Sequence, residues 1–264
     1  RDSITAFPGM SDWRHCHLAS VDSTNRIAMD FAREDDPGQI WITADEQTEG
    51  KARRGRNWDS KKGNLYASLL LINPAPADQL ATLPLVVSVA LHQALTALVA
   101  QNHPEVVAGI SIKWPNDILM ERKKLSGILL AALHDTNERL AVIIGCGVNC
   151  RHFPDNPLYP ATSLLEQGFN IAPVDLLMAL AGTMKSELAI WDKGSGFGAI
   201  RKSWLEKASG LNEPIVARMN DHEHLGQFET IDDQGLLVLK QDDGSVRRIS
   251  SADIFFGNLA NSKA

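Results

Sequence analysis

The stretch DQLATLPLVVSVALHQALTALVA, residues 78 to 100, constrains the fold of this chain more than any other. It is long and nearly all apolar on one side, which predicts a buried helix that covers a β-sheet. A second packing helix is predicted over residues 173 to 191, where leucine, methionine and tryptophan recur at helical spacing. Two helices of this kind require a sheet of several strands beneath them.

Short apolar runs supply the strands. They are rich in Ile, Val and Leu and are bounded by turn residues. The predicted strands are QIWITA (39–44), NLYASLLLI (64–72), GISIKW (109–114), KLSGILLAAL (124–133) and LAVIIGCGVNC (140–150). Together with the helices they predict an α+β fold in which one mixed β-sheet is flanked by helices.

The residue pattern of the sequence changes after about residue 210. Short alternating strands follow one another, and the turn sequences DDQG and QDDG separate them. The predicted strands are PIVARM, LGQFETI, GLLVLKQ and SVRRIS. We therefore expect two domains, residues 1–209 and a small antiparallel β-barrel or β-sandwich over residues 210–264.

The net charge of −6 and the pI near 5.7 argue against a general affinity for nucleic acid or for an anionic membrane. No segment is predicted to span a membrane, and the N-terminal RDSITAFPGM lacks the layout of a secretory signal. We expect a soluble, cytoplasmic protein without a nucleic-acid or membrane partner.

Three cysteines, Cys16, Cys146 and Cys150, lie in apolar surroundings and are odd in number. This pattern favours buried free thiols in a reducing compartment over a disulfide framework. A metal site built from Cys146, Cys150 and His152 is disfavoured, because a closed zinc site needs tighter ligand pairs and a fourth ligand. No structural metal site is predicted.

A basic loop, EQTEGKARRGRNW at residues 46–58, lies between two predicted strands of this acidic chain. It contains Lys51, Arg53, Arg54 and Arg56, together with Gly50 and Gly55. The glycines allow the backbone to approach a ligand closely, so the loop could surround an anion. A solvated charged turn is the alternative. The loop is not a Walker A motif, because Lys51 is not followed by Ser or Thr.

The segment KWPNDILMERKKLSGIL, residues 113–129, predicts a turn between two strands. That turn presents Lys113, Asn116 and Asp117 at one rim of the sheet. Lys124 and Gly127 follow on the return strand, where the lysine is a fixed positive charge and the glycine leaves room for a ligand. Taken singly, each lysine is more typical of a surface position.

Two further motifs carry polar groups to the same sheet. In IIGCGVNC, Gly145 and Gly147 alternate in an apolar strand before Asn149, which indicates close backbone approach or a bulge. The amide of Asn149 could read a purine edge, although the glycines lack the third member and the helix of a Rossmann motif. DSTN, residues 22–25, precedes a helical pattern and is predicted to cap it.

In combination, DSTN, EQTEGKARRGRNW, KWPNDI, KKLSGIL and GCGVN resemble the biotin protein ligase family in order and spacing. The resemblance is strong over roughly residues 20 to 150, and the pair KWPND and KLSGIL is its most specific part. It implies a class II synthetase-like biotin/lipoate ligase catalytic domain followed by a small SH3-like β-barrel. The type implied is monofunctional, without an N-terminal DNA-binding domain.

The resemblance implies a two-step reaction. The biotin carboxylate attacks the α-phosphate of ATP to give biotinyl-5′-AMP and pyrophosphate, and a lysine of a biotin carboxyl carrier protein then takes the biotinyl group. No covalent enzyme intermediate forms, so catalysis comes from alignment and charge neutralisation. Mg²⁺ bridges the phosphates, near Asp117. The number of subunits is left open between a monomer and a homodimer.

The resemblance also assigns residues. The biotin-binding residues are Ser23, Thr24, Asn25, Gln47, Gly50, Lys51, Arg53, Lys124 and Gly127. The ATP-binding residues are Arg53, Arg56, Trp58, Lys113, Asn116 and Asn149. The catalytic residues are Lys124, Arg53, Arg56 and Asp117. In this assignment Ser23, Thr24 and Gln47 bind the ureido head group of biotin, and Trp58 packs near the adenine.

The basic loop departs from the family pattern Gly-Arg-Gly-Arg-Arg-Gly-Arg at two positions. Lys51 replaces an arginine and keeps the charge but not the bidentate fork. Ala52 replaces a glycine and is expected to narrow the backbone angles. We expect these departures to affect loop closure and the affinity for the intermediate, but not the reaction class.

Three other functions fit the sequence less well. A lipoate ligase shares the fold and the acyl-adenylate chemistry but lacks the KWPND motif and the arginine-rich loop. A DNA-binding regulator needs a helix-turn-helix, and too little chain precedes Asp22 unless a segment has been removed. A non-catalytic biotin-binding module would not need Lys124 together with Asp117.

Overall fold

The computed structural model describes residues 4–101, 103–135, 137–155, 157–219 and 222–257. The extreme ends of the two predicted domains, residues 1–3 and 258–264, lie outside the described residues.

The helices follow the apolar pattern of the sequence. The α-helices of the described chain are α1 (Thr24–Arg33), α2 (Leu83–Ala100), α3 (Pro173–Trp191) and α4 (Phe197–Leu205). Short 3-10 helices cover Arg53–Gly55, Ala77–Thr82, Pro104–Gly109 and Asp192–Gly194. Both predicted packing helices are present, although α2 begins five residues later than expected, because Pro84 favours the first turn of an α-helix.

The larger sheet is mixed and flanked by helices, which confirms the predicted fold class. Its strands are β1 (Ile4–Phe7), β2 (Met10–Val21), β3 (Ile40–Gln47), β4 (Leu65–Ile72), β5 (Ile110–Lys113), β6 (Asp117–Met120), β7 (Lys123–His134) and β8 (Leu140–Val148). They lie in the order β1-β2-β3-β4-β8-β7-β6-β5. Strands β2 and β3 pair in parallel, connected through α1, and the other neighbours are antiparallel.

Helices cover both faces of this sheet. On one face α2 packs with α3 over the main core. On the other face Ala28 and Ala32 of α1 pack against Ile40 and Ile42 of β3. Contrary to the expectation from sequence, the segment Ala77–Ala100 is long and apolar enough to span a membrane, but 67% of its most apolar window is buried inside the protein.

The second sheet is small and entirely antiparallel. Its strands are β9 (Pro214–Met219), β10 (His222–Ile231), β11 (Leu237–Lys240), β12 (Val246–Ile249) and β13 (Asp253–Phe256), in the order β12-β11-β10-β9-β13. The predicted small β-domain is thus present as a sheet, while its closure into a barrel and the boundary at residue 209 stay predictions.

The two sheets share one core. Trp204 of α4 lies edge to face against Phe228 of β10, with ring centroids 6.3 Å apart. The indole Nε1 of Trp114 donates a hydrogen bond to the carbonyl oxygen of Gly235 at 3.1 Å. Because Trp114 belongs to the KWPND turn, this bond places the second sheet next to that motif.

Candidate active site

A cavity of about 400 Å³ lies where the sequence motifs converge. It is bounded by the start of α1, the basic loop, strands β4 to β8, a segment around residues 154–161, and β13. The predicted site residues in its lining are Ser23, Thr24, Asn25, Gln47, Lys51, Arg53, Arg56, Trp58, Lys113, Asp117, Lys124, Gly127 and Asn149. Gly50 and Asn116, which were also predicted, lie behind this lining.

One end of the cavity is a cluster of uncharged polar groups. Both the backbone N–H and the hydroxyl of Thr24 bond to Oε1 of Gln47, at 2.9 and 3.1 Å. The hydroxyl oxygen of Ser68 lies 2.6 Å from Oδ1 of Asn25 and 2.8 Å from Oγ1 of Thr24. Buried polar atoms held in this way can exchange bonds with a polar ligand.

The capping prediction for DSTN is only half right. Ser23 occupies the N-cap position of α1 in an extended conformation, but its side chain makes no capping hydrogen bond. The N–H of Thr24 instead donates to Gln47 across the loop. Ser23, Thr24 and Asn25 therefore line the cavity more than they close the helix, whereas Asp22 accepts a hydrogen bond from the N–H of Ser23 and pairs with Arg26.

Two glycines in β8 give the cavity its depth. A Cβ on Gly145 would come within 2.3 Å of Oδ1 of Asn25, and one on Gly147 within 2.8 Å of the Trp58 indole. Opposite them, a Cβ on Gly127 would lie 3.2 Å from the same indole. The predicted close approach is thus made by side chains from across the cavity. The buried indole Nε1 of Trp58 has no hydrogen-bond partner among the described residues.

The other end of the cavity carries an excess of positive charge. Five cationic side chains line it, against two carboxylates. The cations are Lys51, Arg53, Arg56, Lys113 and Lys124, and the carboxylates are Asp117 and Asp253. In a partly enclosed space such a surplus attracts anions.

Asp117 lies at the centre of these charges. It accepts a hydrogen bond from Nζ of Lys124 at 2.8 Å. Burial alone would raise its pKa, but Lys124, Lys113 and Arg53 hold the pKa below the ordinary value of 3.8. Asp117 is therefore ionised at neutral pH and keeps Lys124 oriented as a cation.

Lys113 is a buried cation. Its side chain is 6% exposed, and its ammonium group lies 3.6 Å from the ring centroid of Tyr159. Burial lowers the pKa of Lys113 to about 8, although the charge of Asp117 opposes this shift. Tyr159 was not predicted, and its buried hydroxyl has no hydrogen-bond partner among the described residues.

The two asparagines that were predicted to bind ATP, Asn116 and Asn149, are buried and engaged with protein atoms. Oδ1 of Asn116 accepts a bond from Nη1 of Arg53 at 3.2 Å, and its amide nitrogen donates to the Ile128 carbonyl. The amide nitrogen of Asn149 donates to the carbonyl oxygen of Thr162 at 3.0 Å. Asn116 thus fixes Arg53 from behind, whereas Asn149 remains in the cavity wall.

The basic loop forms a narrow hairpin-like turn. Ala52 donates its N–H to the carbonyl oxygen of Arg56 at 2.7 Å, and Trp58 donates to that of Gly50 at 2.9 Å. Gly50 is required by packing, since a Cβ there would lie 2.4 Å from Oγ of Ser60. The loop therefore has a defined backbone before any ligand is considered.

The expected backbone effect at Ala52 is wrong. Ala52 is extended, with φ −110° and ψ 177°, a conformation that alanine adopts without strain. The left-handed positions are Arg54, with φ 58°, and Gly55, with φ 69°. The unusual backbone of the loop thus lies at Arg54, which conforms to the family pattern.

Residues that the sequence motifs did not indicate also line the cavity or, like Ser68, lie buried behind its lining. Ser68 is a single polar residue within the apolar run of β4, and this interruption was the available signal. Asp253 of β13 lies about 200 positions from the arginines that it contacts and carries no local signal. Cys146 also lines the cavity, and burial raises the pKa of its thiol to about 12. The three cysteines are buried and form no disulfide, as predicted.

Known proteins resemble this chain in sequence and in fold. Residues 18–149 match the biotin/lipoate A/B protein ligase family, and residues 210–257 match the biotin protein ligase C terminal domain. A biotin–[acetyl-CoA-carboxylase] ligase of Paracoccus denitrificans is 37% identical over 246 residues, which cover 91% of this chain and 99% of that protein. The bifunctional ligase/repressor BirA of Escherichia coli is 30% identical over 230 residues, 85% of this chain and 68% of BirA.

Among solved structures, the biotin protein ligase of Aquifex aeolicus in complex with biotin and ATP superposes with a TM-score of 0.75. It is 26% identical, and the match covers 92% of this chain and 99% of that one. Fold, cavity and sequence agree along almost the whole length, and the chain therefore belongs to the biotin/lipoate A/B protein ligase family, among its biotin protein ligases.

Proposed function

We propose that this protein activates biotin with ATP to biotinyl-5′-AMP and transfers the biotinyl group to a lysine of a biotin carboxyl carrier protein. The observation that carries the proposal is the cavity itself. It joins an uncharged polar cluster at one end to a surplus of cations at the other, which suits a substrate with a polar neutral head and a carboxylate that must meet a triphosphate.

The polar end would hold the ureido ring of biotin. Thr24, Asn25 and Gln47 supply donors and acceptors that can pair with the ring N–H and C=O groups, and Ser23 lies beside them in the cavity wall. These side chains already form hydrogen bonds with one another, so biotin would replace some of these bonds with its own. Gly50 supports this end by allowing the loop to pack on Ser60.

A lipoyl group fits this cluster less well. Its dithiolane ring has no N–H or carbonyl groups, so the buried polar atoms around Thr24 would gain no new partners. Sites built for hydrogen-bonded ligands reject analogues that lack the matching groups. The polar cluster therefore favours biotin over lipoate.

The cationic end would hold the carboxylate and the phosphates. Lys124, oriented by Asp117, would contact the biotin carboxylate and the α-phosphate, where it lowers the repulsion between two anions. Arg53, Arg56 and Lys113 would hold the remaining phosphate charge, with Lys51 at the exposed edge. A Cβ on Gly127 would lie 3.2 Å from the Trp58 indole and 3.4 Å from Nζ of Lys124, so the glycine leaves room for these two side chains. Repulsion between the reactants is the main barrier that such an arrangement removes.

The adenine would lie against Trp58. The indole packs directly on Gly127 and Gly147, whose missing side chains leave room for it, and Asn149 lies in the same wall of the cavity. An aromatic face of this kind binds a base by stacking. Asn116 would act indirectly, by fixing Arg53.

Mg²⁺ fits this site only as a companion of the nucleotide. The cation prefers octahedral oxygen ligands and usually reaches proteins through phosphates and one or two carboxylates. Asp117 is the carboxylate near the expected phosphates, and it is already paired with Lys124. Among the described residues no group of three or more His, Cys, Asp or Glu could hold a metal alone. Bound Mg²⁺ would neutralise phosphate charge.

The closed basic loop would protect the intermediate. A mixed anhydride is hydrolysed by water, so a lid must exclude water until the carrier lysine arrives. Arg53 reaches inward from the loop to Asn116, and in the proposed reaction it would hold the adenylate phosphate. We further infer a cytoplasmic protein without nucleic-acid or membrane partners, and either a monomer or a homodimer.

The test is ATP–pyrophosphate exchange with Mg²⁺, dependent on biotin and compared with lipoate, followed by addition of a biotin carboxyl carrier domain. Biotin-specific exchange and label on the carrier lysine are expected. Exchange that is equal with lipoate, or biotin binding without any exchange, would overturn the proposal.

A further inference from the structure

The basic loop is joined to the second sheet by ion pairs at Asp253. Nη1 of Arg54 lies 3.0 Å from Oδ2 of Asp253, and Nη2 of Arg56 lies 3.0 Å from Oδ1 and 3.1 Å from Oδ2. Nη2 of Arg53 donates to the hydroxyl oxygen of Ser251 at 3.2 Å. Each arginine of the loop therefore contacts the β12–β13 turn or the first residue of β13.

Asp253 is available to the loop because its neighbours on the sheet are otherwise engaged. Arg218 is paired with Asp253 in the strand register. Its guanidinium, however, bonds to Glu223 at 2.6 and 2.8 Å and stacks on Phe255, 4.6 Å from the ring centroid. The carboxylate of Asp253 is thus left to the two loop arginines.

The three arginines differ in where they lie. Arg53 and Arg56 line the cavity, as does Asp253, whereas Arg54 does not. Arg54 is the residue with φ 58°, and this turn of the backbone carries its side chain outward to Asp253. Arg54 therefore contacts the second sheet without facing the ligand space.

We propose that Asp253 is a positioning residue that holds the basic loop closed over the cavity before any ligand binds, with Arg54 as its partner outside the cavity. The strand β13 acts as the fixed side of this contact, and Arg56 is thereby held at the cavity rim with its charge already neutralised. An incoming phosphate competes with Asp253 for Arg56, while the Arg54 contact keeps the loop in place.

The first test needs no substrate. Amide hydrogen exchange at Ala52 and Trp58, whose N–H groups are bonded within the loop, is compared between wild type and Asp253→Asn. Loss of two partly exposed ion pairs of ordinary strength should increase the exchange rate of these amides in Asp253→Asn about fivefold. High salt should produce a similar increase in wild type but not in Asp253→Asn, because screening removes the same interaction.

A matched control is available. Glu213 forms an exposed ion pair with Arg122 that also joins the two sheets, with 2.9 Å between Oε2 and Nη1, but it does not touch the loop. Glu213→Gln should leave loop exchange unchanged. Arg54→Ala, an exposed change that preserves the fold, should raise exchange in wild type and add nothing in Asp253→Asn.

Three results would overturn the proposal. They are unchanged hydrogen exchange of the loop in Asp253→Asn, an equal rise of this exchange in Glu213→Gln, and additive effects of Asp253→Asn and Arg54→Ala. Its catalytic consequence rests on the proposed function: Asp253→Asn should release biotinyl-5′-AMP about fivefold faster than wild type. If wild type forms no adenylate, the proposed function fails, whereas the exchange experiment still decides the role of Asp253.

Discussion

Replacing Lys113 by methionine should stabilise the ligand-free protein while abolishing its use of ATP. Burial lowers the pKa of this lysine to about 8 from an ordinary 10.5. At about 1.4 kcal/mol per pKa unit, the charged form costs the folded state about 3 kcal/mol at pH 7. The ring of Tyr159, 3.6 Å away, offsets part of this cost, so we expect a gain of about 2 kcal/mol.

The pH dependence identifies the cause. Between pH 8 and 10.5 the unfolded chain retains a proton on Lys113 that the folded protein has lost, so the free energy of unfolding of wild type should rise with pH. Methionine does not titrate. The free energy of unfolding of Lys113→Met relative to that of wild type should therefore fall by about 3 kcal/mol across this window.

Urea unfolding at pH 7, 8, 9 and 10 measures this difference, and ATP–pyrophosphate exchange measures the loss of function. Lys62→Met, at an exposed lysine, is the control and should show no pH-dependent difference. A Lys113→Met protein that is less stable at pH 7, or whose difference from wild type does not change with pH, would refute the reasoning.

Three further predictions concern other parts of the molecule. Burial lowers the pKa of His92 to about 4. The free energy of unfolding of wild type, measured with urea, should therefore fall by about 3 kcal/mol between pH 6.5 and 4, and His92→Gln should not show this loss. If the free energies of unfolding of the two proteins change in parallel with pH, the prediction is wrong. Arg53→Gly should release the adenylate about tenfold faster, with Arg53→Lys intermediate, and unchanged retention would count against the lid role. Gly147→Ala should raise the KM for ATP about tenfold by displacing Trp58, whereas Gly182→Ala, with open space around its Cβ, should leave it unchanged.

The fold could be predicted wherever burial dominates the sequence. Strands β3, β4 and β8 are apolar because helices cover both faces of the sheet there, and their apolar runs identified them. Strand β7 was identified by its apolar run as well, although most of its residues are half-buried or exposed. Strand β2 escaped prediction because it lies next to the edge strand and most of its residues are half-buried or exposed. Helix α4, a short segment of mixed composition, offered too weak a pattern.

The site could be predicted where a motif presents its own residues to the cavity. Lys124 and Gln47 lie in the lining as expected. The sequence could not indicate that Asn116 faces away toward Arg53, since that depends on how the turn packs on β7. Nor could it indicate Asp253 or Tyr159, because tertiary contacts alone bring these residues to the cavity.

The two carboxylates explain how a site with so many cations is stable without ligand. Cations held together in a partly buried space are costly, because burial and, in smaller part, the neighbouring cations favour loss of a proton, as the lowered pKa of Lys113 indicates. Asp117 pairs with Lys124 inside the cavity, and Asp253 pairs with Arg56 at its rim. Because Lys124 and Arg56 each have a carboxylate partner, a phosphate that binds them replaces a carboxylate instead of neutralising an unpaired cation. This exchange lowers the net gain on binding, which under the proposed function would allow pyrophosphate to leave after the first step while the basic loop retains the adenylate.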